Sequence, residues 1–305
     1  MLKSRAMNAL RYRDFGGPDK IKVEMVGTPK PGPGEVLVRV RCAGLNFADY
    51  LTLTGNYPAA RKPPAVLGFE AAGEIESLGE GVTLTKGARV AFISPGAFAD
   101  LVVCPADKVI PIPDGIDFEA AAAIPVQGLT AWGILDLGHR LRAGEKILIH
   151  SAAGGTGLLA VQMAKGAGAT VYGTVSTQAK AAKAKEMGCD AVIVRSQTTD
   201  FAAEVMALTH NEGVDLVLDA VGKETLAKDF EVLAPFGRVL LYGMASGSAD
   251  MPTMDTLWKG SKGIGAFYLQ DLLRQPKLTH DAFEAVAGAV GSGNLKLTIG
   301  GRYPL

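Results

Sequence analysis

The sequence predicts an α/β protein in two parts, a small irregular β-barrel followed by a doubly wound parallel sheet. Three observations carry this. The first third is a series of short, strand-like patterns; from about Phe118 the rhythm changes to alternating strand and helix; and a glycine-rich turn joins an apolar run to a helical one at residues 147–160. The chain has 305 residues, 48% of them hydrophobic, enough for a sizeable core and suggestive of two domains.

Taken in order, Pro31-Gly32-Pro33-Gly34 is a turn cluster. The stretch Glu35–Arg41 after it alternates apolar and polar residues, as a half-buried strand does. Ala71–Leu78, Arg89–Phe92 and Ala99–Val103 continue in short strands, which suits a barrel better than a parallel sheet. The later strands read as Lys146–His150, Thr170–Val175, Ala191–Val194, Leu216–Asp219, Val239–Gly243 and Gly263–Phe267. Helical stretches lie between most of them, and strands joined by crossover helices describe a doubly wound parallel sheet.

Composition excludes several classes of function. Lys and Arg number 31, as do Asp and Glu, so net charge gives no case for binding nucleic acid or anionic lipid. The cysteines Cys42, Cys104 and Cys189 are far apart, which supports neither a disulfide framework nor a cysteine-rich zinc site. A reducing, cytoplasmic setting is the expectation. The start Met1-Leu2-Lys3-Ser4-Arg5 leads into no apolar core and reads as extra residues before Met7 rather than a signal. Ala120–Leu135 is apolar, but Pro125, Gln127 and Gly128 are expected to interrupt it before it could span a bilayer.

The most informative stretch is Ile147-Leu148-Ile149-His150-Ser151-Ala152-Ala153-Gly154-Gly155-Thr156-Gly157, with a helical pattern over Leu158–Ala167. A strand, a glycine-rich turn and a helix in this order place a dinucleotide's pyrophosphate on a helix N-terminus. Ala153, Gly154, Gly155, Thr156 and Gly157 form the candidate turn. Gly154 and Gly155 would let backbone approach the pyrophosphate, and Gly157 would let the helix pack closely on the strand. A redox enzyme is therefore expected.

NAD-specific folds place an acid roughly 20 residues beyond the turn, to hold the ribose hydroxyls. That position falls in Ser176-Thr177-Gln178-Ala179-Lys180, which has no carboxylate. Ser176, Thr177 and Lys180 can instead bind a 2′-phosphate by charge-assisted hydrogen bonds, with Arg195 as a second cation. NADPH is favoured over NADH.

Four further motifs, with the glycine-rich turn, point to a family. Tyr12-x-x-Phe15-Gly16-Gly17-Pro18, Gly44-Leu45-Asn46-Phe47-Ala48-Asp49, Gly55-Asn56-Tyr57-Pro58, Gly68-Phe69-Glu70-x-x-Gly73 and Ala152–Gly157 occur in that order. Together they resemble the zinc-free quinone oxidoreductase branch (zeta-crystallin-like) of the medium-chain dehydrogenase/reductases, from about Met7 to Leu305. The resemblance implies a GroES-like barrel domain over 1–122, a Rossmann NADP-binding domain over 123–269 and a return to the first domain over 270–305. It implies NADPH-dependent reduction of a quinone, an enone or a 2-enoyl thioester, in a homodimer paired through the Rossmann sheet edge. Ala152 in place of the usual first glycine is common in this branch. The resemblance also implies a further helix and a last barrel strand after Gly300–Leu305, so the final barrel segment is expected to be truncated, with an unpaired sheet edge.

Zinc-dependent relatives carry cysteine at the position of Asn46, histidine at that of Phe69 and cysteine near Val126. None of these residues offers a thiolate or an imidazole, so no metal site is expected. By position in the family, Thr130 faces the nicotinamide carboxamide, Phe267 and Tyr268 flank the nicotinamide, and Val221, Gly243 and Met244, at the C-terminal ends of strands, are further cofactor contacts. Tyr57 matches a proton donor of enoyl reductase relatives, although packing in the cleft explains it equally. Asn46 would donate to the substrate carbonyl or the nicotinamide ribose, and Asp49 would orient neighbours rather than titrate. Glu70 is expected to satisfy backbone or an arginine. Leu51 stands where some quinone reductases have tyrosine, and His150 is expected to be a packed residue. Two alternatives remain beside a zinc-independent quinone or enone reductase: a 2-enoyl thioester reductase, and an NADPH-binding protein with little turnover.

Overall fold

The computed structural model describes residues 6–58, 60–198 and 200–305. The basic residues Lys3 and Arg5 lie outside these. The chain forms two units, one running to Val126 and resuming at Leu273–Leu305, the other Gln127–Leu272. The sequence reading puts the divisions at 122/123 and 269/270. The first lies further on because the Val126 N–H is bonded to buried Glu70 of the barrel unit. The second lies further on because the helix Leu269–Leu273 continues through it, with Leu272 buried.

The first unit is antiparallel. Its strands are β1 (Ala6–Tyr12), β2 (Ile21–Gly27), β3 (Glu35–Gly44), β4 (Ala65–Val66), β5 (Glu70–Leu78), β6 (Arg89–Ile93), β7 (Leu101–Pro105) and β8 (Val109–Pro111). They make a five-stranded sheet in the order β7-β3-β5-β6-β8 and a three-stranded one, β2-β1-β4, joined by a bridge between Ala9 and Ala99. Val36, Val38, Ile75, Val90, Phe92 and Cys104 fill the space between. β3 departs from simple alternation because its register with β5 shifts at Leu37/Val38 and again at Val40/Cys42. β1, β2, β4 and β8 are additional to the strands read from sequence; β1 buries only Met7, Ala9 and Tyr12, and its sequence AMNALRY does not alternate cleanly, a weak pattern. After the second unit the chain returns as the helix Pro276–Gly291, which buries Ala282, Phe283, Val286 and Ala287. Lys296–Leu305 add no strand, and Arg302 forms a forked ion pair with Glu119 at 2.7 and 2.6 Å.

The second unit is a six-stranded parallel sheet of β9 (Lys146–Ile149), β10 (Thr170–Val175), β11 (Ala191–Val194), β12 (Val214–Asp219), β13 (Leu233–Leu241) and β14 (Gly263–Ala266). Its order is β11-β10-β9-β12-β13-β14. β9 lies between β10 and β12, so the winding reverses there and leaves a crevice at the strands' C-terminal ends, where ligands bind in such sheets. Ile147, Leu148, Ile149, Leu216, Val217 and Leu218 are fully buried, which is why the sheet centre reads as apolar runs.

One expectation is corrected. Helical turns continue from Phe118 to His139, and this run is long and apolar enough to cross a membrane, with most of it buried in the protein. Pro125 does not interrupt it because Ile124–Gly128 is a π-type turn, whose hydrogen-bond pattern accommodates the missing N–H.

Candidate active site

The nucleotide end is built from a turn that exposes amides. β9 ends at Ile149, and Ser151 takes a left-handed conformation with φ 54°. Ala152 N–H donates to the Thr174 carbonyl, and Gly154 N–H to the Ser151 carbonyl, which folds the chain into a tight loop. The helix Gly155–Gly166 then starts from Gly154 with no side-chain cap and no acidic residue in its first turn. The first helical amides have no carbonyl partner, and the helix dipole adds partial positive charge there. This is an anion site made of backbone. A Cβ on Gly157 would lie 2.3 Å from the Ser151 carbonyl oxygen, so only glycine fits. A Cβ on Gly155 would meet the Gln127 amide at 1.9 Å. Gln127 therefore lines the turn, a neighbour that no local pattern marks.

The remaining candidates of this unit gather at the same ends of the strands. Ser176 and Thr177 follow β10, and Lys180 Nζ donates to Ser176 Oγ at 3.2 Å on an exposed surface. Arg195 follows β11, but its guanidinium lies 3.6 Å from Glu224, whereas among the described residues no carboxylate pairs with Lys180. Asp219, fully buried at the end of β12, accepts from Val221 N–H at 2.6 Å, Gly222 N–H at 3.1 Å and Thr225 Oγ1 at 2.9 Å. That carboxylate shapes the loop carrying Val221. Ser246 ties this loop to the one after β13, donating to the Val221 carbonyl at 2.8 Å and accepting from Glu224 N–H at 3.0 Å. Gly243 is required because a Cβ there would lie 2.8 Å from the Ala220 carbonyl oxygen, and Met244 beside it is partly exposed. Phe267 packs its ring on Gly133, one helical turn from buried Thr130, and Tyr268 is exposed. Ala153, Gly154, Gly155, Thr156, Gly157, Ser176, Thr177, Lys180, Arg195, Val221, Gly243, Met244, Phe267 and Tyr268 thus share one edge of the parallel sheet.

In the barrel unit, Asn46 begins the short helix Phe47–Leu53, and its N–H donates to Asp49 Oδ2 at 2.8 Å. Its Nδ2 donates to Glu70 Oε1 at 2.6 Å, while Val126 N–H donates to Glu70 Oε2 at 2.7 Å. Glu70 thus meets backbone, as expected, and an amide rather than an arginine. Gly44 makes room for it, since a Cβ there would lie 2.3 Å from Glu70 Oε1. Burial pushes the Glu70 carboxyl up to about 8, and the hydrogen bonds from Asn46 and Val126 only partly oppose this. Burial likewise pushes Asp49 up to about 7. Asp49 accepts from the Asn46 N–H, the contact that an orienting role needs. One N–H of Asn46 is committed to Glu70, which leaves the amide less able to serve a substrate than expected. Tyr57 stacks edge-on against Phe69 with ring centroids 5.1 Å apart.

The zinc of related dehydrogenases does not fit these side chains. The position of its first ligand points an N–H donor at a carboxyl, and that of its second is an aromatic ring packed on Tyr57. Among the described residues no group of three or more His, Cys, Asp or Glu is arranged to hold a metal ion.

The raised carboxyls make stability depend on pH. Glu70 binds its proton more tightly in the folded chain, at about 8 against 4.5 unfolded, so the folded state holds extra protons between these values. Stability should fall as pH rises from about 5 to about 9. Glu70→Gln, which does not titrate and keeps one of the two acceptor oxygens, should lower stability overall but flatten most of that decline in urea midpoints; an unchanged slope would contradict the account.

Comparison with known proteins agrees with this architecture. A family model described as alcohol dehydrogenase GroES-like domain matches residues 32–114, and one described as zinc-binding dehydrogenase matches 155–286. A 2-haloacrylate reductase of Burkholderia sp. is 38% identical over 299 residues, covering 95% of this chain and 90% of its own. A quinone oxidoreductase of Pseudomonas aeruginosa is 37% identical over 300 residues, covering 97% and 92%. The structure of Escherichia coli quinone oxidoreductase complexed with NADPH superposes with a TM-score of 0.90 at 29% identity, covering 96% of this chain and 90% of that one. With a GroES-like barrel, a Rossmann sheet and these relatives along nearly its whole length, the chain belongs to the zinc-free quinone oxidoreductase branch of the medium-chain dehydrogenase/reductases.

Proposed function

We propose that the chain is an NADPH-dependent reductase that delivers hydride to a quinone or an α,β-unsaturated carbonyl compound without zinc. The observation that carries this is the uncapped, acid-free helix start at Gly155, set where the sheet order reverses and followed by Ser176 and Lys180 with no acid between them. Relatives named quinone oxidoreductase and 2-haloacrylate reductase support the two acceptor classes, and a relative solved with NADPH supports the cofactor.

The bound nicotinamide supplies the hydride. The chain supplies the rest. Amides of the Gly154–Gly157 turn hold the pyrophosphate, and Ser176, Thr177 and Lys180 hold the 2′-phosphate, with Arg195 shared with Glu224. Thr130, Val221, Gly243, Met244, Phe267 and Tyr268 seat the nicotinamide end. Asn46, fixed by Glu70 and Asp49, orients the carbonyl of the acceptor, and Tyr57 donates the proton that an enoyl α-carbon needs. The setting is cytoplasmic, without nucleic acid or membrane partners, and the cysteines are free. Pairing through the β14 edge into a homodimer is supported by the unpaired edge of that strand and by exposed Phe236 on its neighbour β13. A monomer mass in sedimentation would exclude the dimer.

Lys180→Ala should weaken NADPH about ten- to a hundredfold, the scale of a lost charged hydrogen bond, and leave NADH nearly unchanged. Titration calorimetry with both nucleotides measures this, and equal weakening would take Lys180 off the 2′-phosphate.

NADPH oxidation with added quinones, enones and enoyl thioesters tests the activity itself. Turnover with none of them would leave an NADPH-binding protein. Tyr57→Phe keeps the ring against Phe69 and removes the hydroxyl. It should cut enone and enoyl reduction at least about tenfold, within the range for a positioned acid, and spare quinone reduction, because solvent can protonate quinol oxygens. Undiminished enoyl turnover in the variant would return Tyr57 to packing.

A further inference from the structure

The Rossmann unit contains a buried polar group that the proposed chemistry does not use. His150, the residue after β9, is fully buried. Its Nδ1 is 2.8 Å from Thr174 Oγ1, and its Nε2 is 2.7 Å from Asp229 Oδ1. Asp229 is also fully buried, at the end of the helix Leu226–Asp229, and Thr174 lies within β10. Phe201 closes the group with its ring edge-on to the imidazole, centroids 5.0 Å apart. A carboxylate acceptor on Nε2 assigns the N–H to that nitrogen, so Nδ1 accepts from the Thr174 hydroxyl. His150 is thus a bonded strut rather than the merely packed residue expected from sequence.

Its position gives the strut a use. Ser151 holds a left-handed φ of 54°, a conformation that non-glycine residues seldom adopt. The residues on either side of it are both tied to Thr174, His150 through the imidazole and Ala152 through its N–H to the Thr174 carbonyl at 3.0 Å. The Ser151 carbonyl in turn accepts from Gly154 N–H at 2.8 Å, and Gly157 packs against that same oxygen. The left-handed turn therefore sets the direction in which the Gly155–Gly157 amides point, and it is clamped at both flanks. Burial raises the Asp229 carboxyl to about 6, with His150 opposing it and nearby Asp219 adding to it. Asp219 is the group that holds Val221 and Gly222.

We infer that His150, Thr174 and Asp229 are positioning residues for cofactor binding: they hold Ser151 in its left-handed turn and so aim the helix-start amides at the pyrophosphate. The inference rests on the nucleotide reading of that turn given above. The pyrophosphate is common to both nicotinamide nucleotides, so the strut serves NADPH and NADH alike, whereas Lys180 serves only NADPH.

The test is titration calorimetry of the full chain with NADPH and NADH, well below the unfolding temperature, with folding checked by circular dichroism. His150→Leu keeps the bulk and removes both hydrogen bonds. It should weaken both nucleotides by the same factor, at least about tenfold. His150→Gln, whose Nε2 can still donate to Asp229, should stay within about threefold of wild type. A residue needed only for folding would lower thermal stability without this shared loss and without the rescue. Should His150→Leu not fold, Thr174→Val, which alters shape little, decides by the same criterion of an equal loss for both nucleotides. Wild-type affinity in a folded His150→Leu or, failing that, in Thr174→Val, overturns the inference. Failure of the wild-type chain to bind either nucleotide would instead overturn the nucleotide reading.

Discussion

Three backbone amides at the start of one helix, left without carbonyl partners, are the constraint on which the nucleotide-binding half depends. They have to be presented to the crevice, because buried and unpaired they would be costly. The chain presents them by ending β9 one residue before His150, turning left-handed at Ser151 and dispensing with side chains at Gly154, Gly155 and Gly157. An acidic cap would satisfy the same amides internally and repel a phosphate; the first turn of Gly155–Gly166 has none. The rest of the sheet edge follows suit, with Lys180 on one side and the loop held by Asp219 on the other.

The barrel half answers a different constraint. Asn46 and Phe69 offer no metal ligand, and Asn46 is held instead by a buried carboxyl. Glu70 does this by accepting from an amide side chain on one oxygen and from the backbone of Val126 on the other. The desolvation that this geometry imposes keeps the carboxyl protonated near neutrality, which removes the cost of a buried charge. Phe69, next in the chain, packs its ring edge-on against Tyr57.

Much of this was legible from residues alone. The parallel strands were, because a strand buried on both faces must be a continuous apolar run, as Ile147–Ile149 and Leu216–Leu218 are. The turn at Gly154–Gly157 was, because its glycines have steric reasons that leave a local mark. Contacts between distant residues were not. His150 meets Asp229 across 79 positions, and Arg195 meets Glu224 from another loop, with nothing in either neighbourhood to announce the pairing. Pro125 misled for a local reason: it breaks an α-helical ladder but not a π-type turn. The behaviour of Asp49 was hidden because burial, which sets its titration, belongs to the fold rather than to its neighbours in sequence.

The central claim is that this chain reduces its acceptor by nicotinamide chemistry held in place by backbone amides and buried carboxyls, with no metal. The most direct measurement is the rate of NADPH oxidation with a quinone by protein stripped with a chelator, alongside elemental analysis of the same sample. The account predicts full activity at well below one zinc per chain. Activity that disappears on stripping and returns on adding zinc would contradict it.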